Sequence, residues 1–292
     1  MSTPDYNSPV KFSLHLEGAN LIDSFDLRAM ATIVSEFTNI IDHTYCALSG
    51  KDRLSRDERK NLSIIATNIE RASIHFDAEL VVNSMQVVAP FIGLANPYTI
   101  WQYTVHSFNF LKYLCHKAKN NVKPTIIPNN SLGFAVNYGD NNTVTVNSTI
   151  LAILPKSLGN LDNIANAMED NNISSLKACS DVTPTSSIEV SASDKGFYKP
   201  PTFLNPNSVT LRVHIIRLDK NTLNGKLFVF PDQDIPEGEY SFSVIGKQDK
   251  LLYIRSYPQD EVTINALVEY KLYEIKGSQV HGLQIINIDP AK

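Results

Sequence analysis

Residues 208–230 read SVTLRVHIIRLDKNTLNGKLFVF. Apolar and polar side chains alternate over Val209–Leu218, the period-2 pattern of a strand with one buried face. Asp219–Gly225 has turn chemistry and Lys226–Phe230 resumes the β pattern, so the stretch predicts a hairpin. Further strands are predicted at Tyr240–Gly246, Lys250–Tyr257, Glu261–Tyr273 and Val280–Ile288, with a hairpin turn at Lys247–Asp249. Five or six strands in so short a span predict a small closed or nearly closed barrel over 206–292.

Working back from this region, the sequence changes character. Lys195–Pro206 holds Pro200, Pro201 and Pro206 and reads as a linker. Residues 121–205 are rich in Asn, Ser and Pro and read as a connecting region. Short strands are predicted there at Phe134–Val136 and Thr143–Val146, with a short helix at Leu161–Met168.

The first 120 residues read as an α+β domain. Phe12, Leu14 and Leu16 alternate with Ser13, His15 and Glu17 up to Gly18, predicting a half-buried strand. Apolar residues then recur at Leu27, Met30, Val34, Phe37, Ile41, Tyr45 and Leu48, a helix that Asp23 or Ser24 can cap and Gly50 can end. Lys51–Lys60 carries both signs of charge and reads as an exposed loop. Leu62–Ala66 and Ile74–Leu80 predict a hairpin turning around Asn68–Arg71, followed by a short helix. A long helix is expected over 97–119, with Pro97 in its first turn and Lys117 and Lys119 near its C-terminus. The fold class expected is therefore α+β: an N-terminal antiparallel sheet with helices on one face, plus a C-terminal all-β small barrel.

The spacing Phe12-x-Leu-x-Leu-x-Gly18 before a capped helix, the turn Gly139-Asp-Asn-Asn-Thr-Val144 and the terminal small barrel resemble uncharacterised bacterial proteins. Proteins of that kind carry an α+β N-terminal domain joined to a barrel of the oligonucleotide-binding or SH3 type, and some sit near mobile-element and phage-defence genes. The resemblance implies that order of parts and carries over no activity.

Charge and composition narrow the function. The 292 residues include 26 Lys and Arg against 30 Asp and Glu, a net charge of −4, so no global positive field exists to attract phosphate. From residue 205 onward 10 basic residues face 11 acidic ones. Cys46, Cys115 and Cys179 are widely spaced with no Cys-x-x-Cys pair to make a zinc site, and Cys46 and Cys115, in helical patterns, read as buried thiols. No secretory apolar segment opens the sequence, and the longest apolar run, Val87–Ala95, falls short of the roughly 20 residues that span a bilayer. A cytoplasmic protein with no membrane contact is expected.

Catalytic signatures are missing from the sequence. It has no phosphate-cradling glycine loop, no Gly-x-Ser-x-Gly elbow and no His-Glu-x-x-His pair. Its histidines, 15, 43, 75, 106, 116, 214 and 281, are scattered, and His15, His75 and His214 fall on the polar side of strand alternation. Asp26, Glu36, Asp77 and Glu79 are the carboxylates that a fold could bring together for acid–base work. No catalytic residue, metal ligand or cofactor is assigned.

The barrel interleaves aromatic and cationic residues: Arg212, Arg217, Tyr240, Phe242, Tyr253, Arg255, Tyr257 and Tyr270. Stacking faces beside cations suit a single-stranded nucleic acid, whose bases offer π-faces and whose backbone offers charge. Arg212, Arg217, Tyr253, Arg255 and Tyr257 are the candidate residues for binding nucleic acid or a partner. Two readings stand. One is a non-catalytic interaction or regulatory protein that associates with a protein partner or with itself, in a bacterial or phage conflict system. The other is a single-stranded nucleic-acid binder acting through the barrel.

Overall fold

The computed structural model describes residues 8–19, 21, 24–70, 74–82, 95–129, 136–139, 142–272 and 280–289. Two compact units emerge: Met1–His116 with Thr125–Pro200, and Lys117–Pro124 with Pro201–Lys292. The partition expected at 120 and 205 is thereby corrected, because most of 121–205 is folded into the first unit. The predicted linker does contain the break, between Pro200 and Pro201.

The first unit is α+β. Its elements are β1 (Val10–Glu17), α1 (Leu27–Leu48), α2 (Glu58–Asn61), β2 (Leu62–Glu70), β3 (Ile74–Val82), α3 (Pro97–Lys119, as far as His116), β4 (Thr125–Asn129), β5 (Val136–Tyr138), β6 (Thr143–Asn147), α4 (Ser148–Ala167), β7 (Ser175–Cys179) and β8 (Ile188–Ser191). Five of the strands form an antiparallel sheet in the order β2-β3-β1-β7-β8. The remaining three pair as β4-β6-β5, with β4 and β6 parallel.

α1 forms where its periodicity places it, and its cap is Asp26, whose carboxylate accepts from the amides of Arg28 at 2.7 Å and Ala29 at 3.3 Å. It ends at Gly50, whose φ of +64° is the left-handed conformation that a side chain disfavours. Ile33, Phe37, Ile40 and Ile41 face inward from it. The sheet's apolar face, Phe12, Leu14 and Leu16, meets the helices through Phe12, whose ring lies 6.1 Å from Phe37 and 4.8 Å from Trp101 of α3. Trp101 is fully buried, and its indole N–H donates to Thr183 Oγ1 at 3.0 Å.

α4 is longer than the Leu161–Met168 helix expected. Asn147 caps it, accepting from Thr149 N at 2.8 Å, and the helix runs through Pro155. Its apolar stripe, Ile150, Leu154, Leu158, Leu161 and Ala165, is buried, and α4 packs on α1. α2 begins within the segment expected to be loop. The short helix expected before residue 97, the hairpin tip at 71–73 and Phe134 lie outside the described residues.

The second unit is mostly strand, with β9 (Thr202–Leu218), β10 (Gly225–Val229), β11 (Gly238–Val244), α5 (Lys250–Ser256), β12 (Val262–Lys271) and β13 (Val280–Asp289). The pairing runs β10-β11-β13-β12-β9 and returns from β9 to β10. β9 permits this return because it is long: Val213–Leu218 pairs with β10 while Thr202–Val213 pairs with β12. Inward side chains of every strand, among them Leu211, Val213, Leu227, Phe242, Ile264 and Ile285, make one core. Each such burial contributes roughly 1.5–3 kcal/mol of transfer free energy.

Two expectations fail here. Lys250–Tyr257 is not a strand but the helix α5 and its end, and Lys247–Asp249 is not a hairpin turn, because β11 pairs in parallel with β13 instead of with the segment that follows it. Asp249 is the reason for the first. Its carboxylate accepts from Leu251 N at 2.9 Å and starts a helix on an apolar run that periodicity cannot assign.

Among the described residues no helix is long and apolar enough to cross a membrane.

Candidate nucleic-acid interface

Outward residues of β9 and β10 build the site. Leu211, Val213 and Ile215 point into the core of the second unit, which leaves Arg212, His214 and Ile216 outside. On β10, Leu227 and Val229 point inward and Lys226 and Phe228 outward. The register sets Arg217 opposite Lys226 and His214 opposite Phe228, across a bulge between Lys226 and Leu227. Two cations and an aromatic ring therefore share one surface, and Phe230 follows just beyond β10, its ring centroid 5.9 Å from that of Phe228.

The turn that joins these strands is tightly built. Asp219 Oδ1 accepts from the amides of Asn221 at 2.8 Å and Thr222 at 3.2 Å, bonds that hold its carboxyl below the ordinary carboxylate range. Gly225 has no room for a side chain: a Cβ there would lie 1.9 Å from Arg217 O. Lys250 Nζ reaches across to Asn221 O at 3.0 Å. Exposed Lys220, Lys226 and Lys250 thus gather with Arg217 around the turn, and among the described residues neither Arg217 nor Lys226 forms an ion pair. Farther back along β9, Arg212 pairs with Glu261 at 3.8 Å, near exposed Asp260. The cationic end of the unit is the turn end.

The five candidate residues separate. Arg217 lies in the cationic surface, and Tyr257, 43% exposed, sits beside β9 with its hydroxyl 3.5 Å from Ile216 O. Arg212 is on the same strand but in the acidic surroundings just described. Tyr253 is buried in the core, its hydroxyl donating to Gln248 Oε1, and burial pushes its pKa up to about 12. Arg255 is exposed on α5, two residues and roughly 200° of helical turn away from Tyr253. Tyr253, Arg255 and Tyr257 therefore form no common stacking face, since that face required a strand where α5 lies. Phe242 is core, and Tyr240 is occupied with Pro236 O at 2.9 Å. Lys226, Phe228 and Phe230 are not among the residues the sequence singles out, although alternation along β10 puts them on one side.

The remaining candidates are structural. Asp26 caps α1, Glu36 accepts from Asn160 and Asn163 of α4, and Glu79 lies 3.7 Å from Lys11. Cys115 is buried beside Lys199 O and its thiol is pushed up to about 12. Among the described residues no group of three or more His, Cys, Asp or Glu side chains is arranged to hold a metal ion. Compared with known proteins, the chain matches no family model, no curated protein and no solved structure.

Proposed function

We propose that the second unit is a small barrel of the oligonucleotide-binding type and that it binds single-stranded nucleic acid on the outer surface of β9 and β10. The order of parts supports this reading. Three strands, a helix and two strands follow one another, the third and fifth strands are parallel, and the first closes on both the second and the fourth. Barrels of that type bind oligonucleotides on the face of their second and third strands and at the turn between the first two. Here Arg217, Lys220 and Lys226 lie at that turn, Lys250 of α5 reaches it, and Phe228 is on the second strand.

The observation that carries the reading is the cross-strand pair Arg217 and Lys226, which form no ion pair among the described residues, on the surface shared by half-buried Phe228. Phosphates would lie along the cations and a base would stack on the ring. The test is anisotropy of a labelled single-stranded oligonucleotide as salt is raised. Arg217→Ala with Lys226→Ala should lower affinity and flatten the logarithmic salt slope by about 1.4, two phosphate contacts at roughly 0.7 each. Phe228→Ala should cost about 1–3 kcal/mol of stacking. Absence of binding at low salt, or binding indifferent to all three changes, would sink the proposal.

One feature favours association with protein as a second reading. β2 is the outermost strand of its sheet and presents Ile65 at 49% exposure, which suits pairing with a strand of another chain. Light scattering that finds a monomer, together with no protein partner co-purifying after nuclease treatment, would remove it. The setting in a bacterial or phage conflict system, inside the cell, rests on the resemblance in sequence.

A further inference from the structure

His15 and His75 are direct cross-strand partners on β1 and β3, on the sheet face opposite Phe12, Leu14 and Leu16. Their Nδ1 atoms lie 3.0 Å apart, with the rings nearly perpendicular at 87°. The other nitrogen of His75, Nε2, lies 2.9 Å from Asp77 Oδ1, and Ser13 Oγ donates to the same oxygen at 3.0 Å. These two bonds hold the Asp77 carboxyl below the ordinary carboxylate range, His75 being the larger cause. The bond to Asp77 favours the tautomer of His75 with its proton on Nε2 and a lone pair on Nδ1. The contact between the rings then rests on a proton carried by His15 Nδ1. Burial, and next the proximity of His75, holds His15 below its ordinary pKa. Both side chains are half-buried and reachable from water.

We propose that His15 Nδ1 and His75 Nδ1 chelate one divalent transition-metal ion of tetragonal preference, Cu2+ or Ni2+, with water filling the other positions. Imidazole nitrogens at this spacing suit that class of ion. With bonds of roughly 2.0–2.1 Å, a separation of 3.0 Å subtends about 91–97° at the metal, near the angle between neighbouring ligands in a tetragonal site, and the rings, whose centroids lie 3.9 Å apart, turn outward for both lone pairs to reach it. Tetrahedral zinc would need the nitrogens about 3.3–3.4 Å apart at the same bond length. The tie from His75 Nε2 to Asp77 is the carboxylate support that metal-bound histidines use to fix tautomer and ring orientation. The protons balance: the one on His15 Nδ1 moves through solvent to its own Nε2, and the freed lone pair takes the metal. The site lies in the first unit and stands independently of nucleic-acid binding.

The test is titration of the full chain with Cu2+ alone in a weakly coordinating buffer, read by electron paramagnetic resonance. The expected result is one ion per chain with two nitrogen ligands. His15→Ala and His75→Ala should each abolish that signal, Asp77→Asn should weaken binding by about 10–100-fold, and His281→Ala should leave it intact. A two-nitrogen signal that survives either histidine substitution, or no stoichiometric binding, overturns the proposal. A second measurement needs no substitution: substoichiometric Ni2+ should broaden the imidazole resonances of His15 and His75 before those of the other five histidines. Broadening that begins elsewhere overturns it equally.

Discussion

The two units bury their apolar surface by different means. In the first, an open five-stranded sheet has one apolar face, and helices α1 and α3 cover it through contacts such as Phe12 with Phe37 and Trp101. In the second, the strands pair back onto themselves, so each strand's inward residues are covered by the other strands, with α5 adding Tyr253. An open sheet depends on large side chains that reach it from helices distant in sequence. A closed circuit depends on register and on a few positions that let a strand bend or turn. The polar surfaces differ accordingly: the first unit displays His15 and His75 on its open sheet, and the second displays the cations at the turn end of its strands.

If this contrast is right, the first unit should be most sensitive at Trp101. Trp101→Ala removes a fully buried ring stacked on Phe12 and leaves Thr183 without its indole donor, at a cost of about 3–5 kcal/mol. Urea unfolding followed by hydrogen exchange should show the loss in β1, β3 and α3 amides. Equal loss in β9 to β13 would break the distinction between the units.

The corresponding position in the second unit is Tyr253, and two substitutions separate its roles. Tyr253→Ala should destabilise that unit by roughly 3 kcal/mol through the cavity it leaves. Tyr253→Phe keeps the ring and removes only the donor to Gln248, at about 1 kcal/mol. Oligonucleotide binding should be unchanged in Tyr253→Phe, because the hydroxyl lies in the core. A loss of binding there, with stability retained, would return Tyr253 to the binding surface.

A smaller effect separates the units by pH. Burial is the first cause lowering the pKa of His15, His43 and His106, all in the first unit. A lowered folded pKa means that the unfolded chain binds the proton more readily. The associated stability is complete above the ordinary histidine value of about 6.5 and is lost as pH falls through the lowered folded values. Thermal melts between pH 7.5 and 5 should show this loss in the first unit. Stability that rises on acidification over that range would contradict the burial of these rings.

Much of this architecture was legible in the residues. α1 and α3 follow from apolar spacing and end signals, and the β2–β3 hairpin and most strands of the second unit follow from alternation. α4 was half hidden, although Ile150, Leu154, Leu158 and Leu161 keep helical spacing, because Pro155, Gly159 and the surrounding Asn and Ser residues read as loop. α5 was misread because Leu251–Ile254 is an apolar run that fits either period, and only the Asp249 cap decides it. That error displaced Tyr253 and Arg255 from the candidate surface. Arg217 was found, whereas Lys226 and Phe228 required the register between β9 and β10 to show what they adjoin.

By itself the sequence determined what depends on neighbours a few residues away: helix faces, strand alternation, caps, turns and the absence of recognised catalytic motifs. Tertiary structure alone decided what depends on distant segments. It placed β7 beside β1, set β11 parallel to β13, closed β9 onto both β10 and β12, and brought His15 against His75. The physical reason is range. Local backbone preferences act through sterics and hydrogen bonds within a turn or two, whereas strand order follows from which pairing buries the most apolar surface while satisfying every backbone group, a property of the whole chain.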